Sequence, residues 1–196
     1  MGVLDDLGVP VFKAGGMPDP DPASHRLAVG GLVEQEASFN LAEIKTWPLT
    51  QADARLTSVS GFSVRALWQG ASWREFLSRV TPTAAASHAT FTSVGGGYQT
   101  TVSLADLDHP RALLCYAVGG EPLEPAYGGP LRMFIPHLWG YKSAKWLAGI
   151  EFGDRMLGGY WEDRGYPREA PIQPGSTLDV NTRTRRAIAG GEVTEF

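Results

Sequence analysis

Glycine and proline interrupt this chain so often that little room is left for long helices. The 196 residues include 24 Gly and 14 Pro, above the usual shares of about 7% and 5%. Neither residue repeats with a fixed period, which excludes a collagen-like chain. Because both residues favour turns and end regular elements, their spacing predicts many turns between short strands.

The overall composition is that of a globular protein. Hydrophobic residues make up 43% of the chain and charged residues 19%, which is too apolar for intrinsic disorder. The length suits a single core. We therefore expect one domain over residues 1–196, with an irregular segment at 1–24, where Pro18, Pro20 and Pro22 favour extended backbone, and an extended tail at 167–196.

Local patterns predict short strands and a few short helices. Asn40 and Ser72 are suitable N-caps for helices at 41–46 and 72–80, and a helical turn is expected at 141–146. The strands are predicted at 26–33, 55–60, 89–94, 98–104, 111–118, 131–135 and 147–152. This pattern predicts a β-rich fold of the α+β class.

Charge and cysteine content exclude several classes of protein. The net charge of -4 is opposite to that of a general nucleic-acid binder. One cysteine, Cys115, allows neither an intrachain disulfide nor a thiolate metal cage. No run of 18 apolar residues is present, so we expect no membrane span. Asp5 and Asp6, with no basic residue before position 12, are untypical of a signal peptide, and we expect a cytoplasmic location.

The strongest local signal is a reversal of charge within this acidic chain. Residues 125–150 contain no Asp or Glu but include Arg132, Lys142, Lys145 and His137. Glycines in the same stretch allow backbone amides to approach a ligand closely. Ammonium groups, the Ser143 hydroxyl and amides together are the donors that a phosphate requires. The alternative is a loop with solvated lysines, and the spacing matches neither a Walker A motif nor GxGxxG.

Several stretches of the sequence resemble one enzyme family. The segment at 127–150 reads YGGPLRMFIPHLWGYKSAKWLAGI, and further likeness is found in RLAVGGLV, SVSGFSVRALWQGASWREFL, GGGYQTTVSLADL and GGYWEDRGY. Together they resemble the molybdopterin-binding domain of sulfite-oxidase-like oxidoreductases, in particular the small single-domain members. The resemblance implies a β-rich domain with mixed sheets and short helices, a molybdopterin cofactor with molybdenum, and oxidoreductase activity.

The resemblance also implies which residues hold the cofactor. Lys142, Ser143 and Lys145 of the KSAKW element would contact the pterin phosphate directly. Tyr127 stands where relatives usually carry a histidine. The cofactor-binding residues implied by the resemblance are Arg132, His137, Tyr141, Lys142, Ser143 and Lys145.

One position departs from the family pattern. Relatives bind the metal through a cysteine in the pattern Cys-Val-x-x-Trp-Ser, and here Ser58 occupies the position of that cysteine. Ser58 is therefore the expected metal-side and catalytic residue. Cys115 cannot replace it, because it lies within an apolar strand pattern. A serine oxygen needs help from a high-valent metal to lose its proton, so metal occupancy is in doubt.

Three interpretations follow from this departure. The first is a molybdopterin-dependent oxidoreductase that transfers an oxygen atom to or from a small oxyanion or sulfoxide. The second is a binding module that holds molybdopterin or another phosphorylated ligand without turnover, and the third is a fold that retains neither cofactor nor metal. The enzyme would use a small-molecule substrate and would need a separate electron-transfer partner, because no CxxCH haem motif is present. The sequence does not reveal the oligomeric state.

Overall fold

The computed structural model describes residues 2–193, which form two main sheets, a hairpin and short helices. Residue 1 of the predicted irregular segment and residues 194–196 of the predicted tail lie outside the described residues. The α-helices are α1 (Val3–Asp6), α2 (Leu41–Lys45), α3 (Trp73–Leu77) and α4 (Leu104–Leu107), and short 3-10 turns lie at Val94–Gly96, Pro125–Tyr127, Gly140–Lys142 and Glu162–Arg164. The strands are β1 (Arg26–Gly31), β2 (Ala37–Asn40), β3 (Leu49–Ser58), β4 (Phe62–Ser72), β5 (His88–Ser93), β6 (Gln99–Ser103), β7 (Leu113–Val118), β8 (Glu121–Pro122), β9 (Arg132–Phe134), β10 (Leu147–Gly153), β11 (Gly175–Leu178) and β12 (Arg185–Ile188).

The first main sheet has five strands and mixed direction. Its order is β2-β1-β10-β5-β6. Strands β1 and β10 run parallel, whereas the other neighbouring pairs are antiparallel. This sheet joins segments that are more than a hundred residues apart in sequence, because Ala28 is opposite Gly149.

The second main sheet is antiparallel and includes the β3–β4 hairpin. Its order is β3-β4-β7-β8, with β9 paired to β7. Strands β3 and β4 pair along their whole length from Leu49↔Ala71 to Ser58↔Phe62. Strand β4 lies between β3 and β7, and positions 68–71 are all buried there, so this part of the strand lacks the alternation of a half-buried strand.

The two predicted helix caps are present. The Asn40 side chain accepts a hydrogen bond from the Glu43 amide, and the Glu43 side chain accepts one from the Asn40 amide, which completes a capping box. The Ser72 side chain accepts a hydrogen bond from the Glu75 amide. Helix α3, which Ser72 caps, is shorter than predicted, because it ends at Leu77.

The predicted fold class is confirmed: the structure is β-rich, of the α+β class, with a mixed sheet and short helices. Two predictions for the termini need correction. The segment 1–24 includes the short helix α1, whose Leu4 is buried in the core, and the tail forms the β11–β12 hairpin. Within residues 2–193, no helix has the length and apolar character that crossing a membrane requires.

Candidate functional site

A cavity lies where the β3–β4 hairpin, the segment 127–146 and both terminal segments meet. It includes about 890 Å³ that protein atoms do not fill, part of it open to solvent. The hairpin contributes Leu56, Ser58, Val59, Ser60 and Phe62. The cation-bearing segment contributes Tyr127, Arg132, Tyr141, Ser143, Lys145 and Trp146, and the termini contribute residues such as Phe12, Trp161, Tyr166 and Asn181.

Arg132 is a deeply buried polar residue of this cavity. Its side chain belongs to β9, opposite Cys115 of β7, and the residue is 2% exposed. The guanidinium donates to the carbonyls of Met133, Tyr127 and Ser143 at 3.1, 2.8 and 3.0 Å. Burial lowers the pKa of Arg132 to about 10. These carbonyls fix the orientation of the guanidinium but leave its positive charge uncompensated.

Lys145 supplies a second cation to the same cavity. Its Nζ donates to the carbonyls of Phe12 and Ala126, each at 3.2 Å. Burial lowers the pKa of Lys145 to about 7, and the nearby charge of Arg132 adds to this effect. Gly128 makes room for the side chain, because a Cβ at position 128 would lie 2.7 Å from Cβ of Lys145.

No carboxylate of the described residues neutralises this pair of cations. Among residues 2–193, neither Arg132 nor Lys145 forms a salt bridge. A lysine whose affinity for protons is lowered by burial and by a neighbouring cation is stabilised in its charged form when an anion binds beside it. The arrangement therefore favours an anionic ligand such as a phosphate.

Ser143 and Tyr141 also line the cavity. The Ser143 hydroxyl oxygen accepts a hydrogen bond from the Ile135 amide at 2.9 Å, so its own proton remains available for a ligand. The Tyr141 hydroxyl donates to the Pro167 carbonyl at 2.6 Å, and its ring stacks on Tyr166 at 5.0 Å. Burial raises the pKa of Tyr141 far above its usual value, so this residue stays neutral.

The structure places Lys142, which the sequence predicts as a direct phosphate contact, outside the cavity lining. The residue is fully buried, and its Nζ donates to Glu162 Oε1 at 2.5 Å and to the Thr101 carbonyl at 2.7 Å. Burial lowers the pKa of Lys142, while the Glu162 carboxylate opposes that change. Glu162 also accepts from the Thr100 hydroxyl at 2.5 Å, so the ammonium is already committed to internal partners.

His137, which the resemblance places among the cofactor-binding residues, also lies outside the cavity lining. Its ring stacks on His109 with 4.2 Å between ring centres, and its Nε2 is 2.9 Å from the Asp106 carbonyl oxygen. Burial lowers the pKa of His137, so the ring is predominantly neutral at pH 7. Its side chain therefore secures the loop after β9 to helix α4 and does not reach the cavity.

Ser58 lies at the end of β3 and lines the cavity together with Ser60. Their hydroxyl oxygens are 2.8 Å apart, and the Ser60 amide donates to Ser58 Oγ at 3.2 Å. Cys115 is buried, its Sγ donates to the Ala117 carbonyl at 3.3 Å, and burial raises its pKa to about 11. The cavity thus offers serine oxygens rather than a thiolate at this position. Among the described residues, no group of three His, Cys, Asp or Glu side chains could hold a metal ion alone.

Sequence reasoning missed the contributions of both terminal segments to the site. Phe12, from the irregular N-terminal segment, and Asn181, from the loop between β11 and β12, both line the cavity. No local motif marks either residue. Trp161 of the GGYWEDRGY stretch also lines the cavity. Its neighbours Tyr160 and Arg164 contact each other, with the guanidinium 3.8 Å from the ring centre.

The geometry as a whole fits a flat, anionic ligand. Cations and the Ser143 hydroxyl provide a binding site for a phosphate, serine oxygens of the β3–β4 hairpin face the same cavity, and aromatic rings form much of the wall. Aromatic walls are suited to stacking on a heterocyclic ring system. The donor set therefore fits a phosphorylated heterocycle.

Comparisons with known proteins agree with this interpretation. A family model described as "Oxidoreductase molybdopterin binding domain" matches residues 14–161. "Uncharacterized oxidoreductase YuiH" of Bacillus subtilis is 33% identical over 80% of this chain and 80% of its own length. "Putative protein-methionine-sulfoxide reductase subunit YedZ1" of Azospira oryzae is 32% identical over 74% of this chain and 55% of its own length.

Further matches extend the comparison to catalytic subunits and to a solved structure. "Protein-methionine-sulfoxide reductase catalytic subunit MsrP" of Xanthomonas axonopodis is 31% identical over 83% of this chain. The chain spans about half of the length of the reductase relatives (55–56%). The sulfane dehydrogenase SoxCD of Paracoccus pantotrophus has a TM-score of 0.69 with 16% identity, over 88% of this chain and 46% of its own, which shows a shared fold.

Proposed function

Because the chain belongs to the oxidoreductase molybdopterin-binding domain family, we propose that its cavity binds molybdopterin, with the phosphate at Arg132 and Lys145. The observation that carries this proposal is the pair of cavity cations that, within residues 2–193, have only carbonyl partners and no carboxylate. Each charge-assisted hydrogen bond to a phosphate contributes about 1.5–3 kcal/mol, and Ser143 adds a hydroxyl donor.

In this proposal Ser58 lies on the metal side of the cofactor. The Ser58 hydroxyl lines the cavity and is held by Ser60. When Ser58 donates its proton to Ser60 Oγ, one lone pair of Ser58 Oγ remains for a further partner. Ser58 would supply one oxygen ligand to molybdenum, and the pterin would supply ligands that do not come from the protein. When bound, molybdopterin with molybdenum supplies two-electron chemistry and oxygen-atom exchange.

We further propose that the reaction is the reduction of a sulfoxide, since the names of the reductase relatives give protein methionine sulfoxide as the substrate of those proteins. Conversion of a sulfoxide to a thioether and water breaks the sulfur–oxygen bond and consumes two electrons and two protons. The electrons would come from a reduced carrier protein, since this chain has a single cysteine and cannot attach haem through a CxxCH motif. Phe62 and Trp161, which line the cavity, offer apolar contacts for the organic part of such a substrate.

The test is to measure molybdenum and pterin per chain in protein from a host that makes the cofactor. We expect wild-type protein to contain pterin. Lys145→Met should lower its pterin content, whereas Lys45→Met, which changes an exposed lysine of α2, should not. Equal pterin content in both variants would contradict the phosphate site.

The serine at position 58 favours a second candidate function, a molybdopterin-binding module without metal. A neutral hydroxyl is a weaker ligand than a thiolate. Ser58→Cys separates the two functions, because the substitution should raise the molybdenum-to-pterin ratio if the cavity is intact. Pterin without metal in the wild-type protein, together with recovery of metal in Ser58→Cys, would favour the binding module.

Two expectations from the sequence remain separate proposals. A distinct electron-transfer partner is consistent with the word "subunit" in the names of the reductase relatives, and a pull-down with the reduced and oxidised protein tests it. The expected cytoplasmic location is tested by fractionation of cells that produce the full-length protein.

A further inference from the structure

The β11–β12 hairpin, which lies beyond the matched family residues 14–161, contacts the turn that carries Ser58. We propose that Arg186 of this hairpin is a positioning residue, which holds the turn at 59–61 and thereby fixes the direction of the Ser58 hydroxyl. The structural part of this proposal is independent of the cofactor, whereas its consequence for metal binding rests on the proposed function.

The polar contact is made by the Arg186 guanidinium. Its Nη1 donates to the Val59 carbonyl at 3.3 Å. Gly61 leaves the space that the guanidinium occupies, since a Cβ at position 61 would lie 2.6 Å from Arg186 Nε, and the residue has a φ of +96°. A residue with a side chain at position 61 would therefore be strained and would displace Arg186.

An apolar contact reinforces this polar one. Val59 is 5% exposed and belongs to a hydrophobic cluster with Trp139, Tyr141 and Tyr166, against which Ile188 of β12 packs. Arg186 and Ile188 are partly buried, whereas Arg185 and Ala187 are exposed. The alternation shows that one face of β12 is turned towards the Ser58 turn and the other towards solvent.

The hairpin is itself anchored to the cavity wall. The Asp179 side chain, at the end of β11, accepts from the Tyr166 hydroxyl at 3.2 Å and from the Asn181 amide at 3.0 Å. Tyr166 and Asn181 line the cavity. Arg186 is thus presented from an element whose base is fixed, which allows it to restrain the turn.

The turn determines where the Ser58 hydroxyl points. Ser58 Oγ accepts from the Ser60 amide, and the Ser58 carbonyl accepts from the Gly61 amide at 3.1 Å. These bonds depend on the backbone of 59–61, which Arg186 contacts on the outside. Loss of the guanidinium would release the turn and broaden the range of positions of Ser58 Oγ.

The experiment compares wild-type protein with Arg186→Gln, Arg186→Lys and the control Arg185→Gln, which changes the exposed neighbour. Hydrogen exchange of the amides of Ser60 and Gly61 is measured in cofactor-free protein. We expect exchange to be about tenfold faster in Arg186→Gln, as for the loss of one charge-assisted hydrogen bond, with partial recovery in Arg186→Lys and no change in Arg185→Gln. Unchanged exchange in Arg186→Gln would overturn the proposal.

The second readout is the molybdenum-to-pterin ratio of the same proteins from a cofactor-producing host. We expect Arg186→Gln to lower this ratio with little change in pterin per chain, because the phosphate site at Arg132 and Lys145 is untouched. A general loss of structure would lower pterin and metal together. Faster exchange with an unchanged ratio would overturn the role of Arg186 towards Ser58. Wild-type pterin without metal would reject the metal part of the proposed function, and exchange alone would then decide whether Arg186 holds the turn.

Discussion

Lys145 is the titratable group whose protonation most directly changes the charge of the cavity. Burial and Arg132 lower its pKa from 10.5 to about 7 in the folded chain. Between these two pH values the unfolded chain binds the extra proton and the folded chain does not, so the free energy of unfolding should rise with pH. The destabilisation that comes from burying the charged Lys145 is complete below about pH 7. It disappears as the pH approaches the pKa that Lys145 has in the unfolded chain.

We therefore predict that cofactor-free protein becomes more stable from pH 7 to pH 9, and that Lys145→Met removes much of this increase. Denaturant unfolding at pH 7, 8 and 9 measures it, with Lys45→Met as the control. A bound anion stabilises the protonated lysine, so inorganic phosphate should bind less tightly to wild-type protein as pH rises through this range. If the free energy of unfolding changes with pH in the same way in wild type and Lys145→Met, Lys145 does not titrate as the structure indicates.

The Lys142–Glu162 pair gives a second prediction at this scale. Both side chains are fully buried, with 2.5 Å between Nζ and Oε1, and Glu162 Oε2 has no hydrogen-bond partner among the described residues. Removal of one partner from a buried pair costs about 3–5 kcal/mol, because it leaves an isolated charge. Lys142→Met should therefore lower the free energy of unfolding by that amount.

The double variant Lys142→Met/Glu162→Gln distinguishes a structural pair from a phosphate contact. With both charges removed, stability should recover in part. Because the Lys142 ammonium does not line the cavity, pterin content should recover with it. Restored stability without restored pterin would support Lys142 as a phosphate ligand.

At the scale of elements, the sequence predicts those features whose cause is local. Asn40 and Ser72 cap helices by accepting hydrogen bonds from amides three residues ahead. Both partners of each bond are therefore close together in sequence, and a local pattern is enough to predict it. Most of the strands flanked by glycine or proline are also found near their predicted positions. The local pattern does not predict strand β4, since its second half is buried between two neighbouring strands and lacks a period of two.

The capping box of α2 gives a prediction for this scale. Asn40→Ala removes the acceptor of the Glu43 amide, which is bonded at 2.8 Å, and should cost about 1 kcal/mol. Asn40→Asp keeps the acceptor and should preserve stability. The difference is measured by denaturant unfolding, and equal losses in both variants would mean that the cap oxygen contributes nothing.

The candidate site is only partly predictable for the same physical reason. Arg132, Ser143 and Lys145 lie close together in sequence, and their shared cavity follows from one segment. The partner of Lys142 is twenty residues away, and Phe12 and Arg186 reach the site from opposite ends of the chain. Contacts between residues so far apart in sequence depend on how the sheets pack, and local sequence patterns do not predict that packing.

At the scale of the whole molecule, the cavity is closed by segments from both ends of the described chain. The Phe12 carbonyl accepts from Lys145 Nζ at 3.2 Å, and the Phe12 ring stacks on Phe62 at 5.5 Å. The N-terminal segment thus contacts both the cation that would hold the phosphate and the hairpin that carries Ser58. On the other side, Asn181 lines the cavity from the C-terminal hairpin.

A ligand that contacts the cavity walls should therefore stabilise both terminal segments together. A ligand that binds only the folded state adds RT ln(1 + [L]/Kd) to the free energy of opening, about 2.7 kcal/mol at a hundredfold excess over Kd. We predict that cofactor loading slows amide exchange at 9–14 and at 179–186, with little change in β2, whose strand lies at the edge of the first sheet away from the cavity lining. Hydrogen exchange of loaded and cofactor-free protein measures this. Protection confined to 127–146 would show that the terminal segments do not close over the bound ligand.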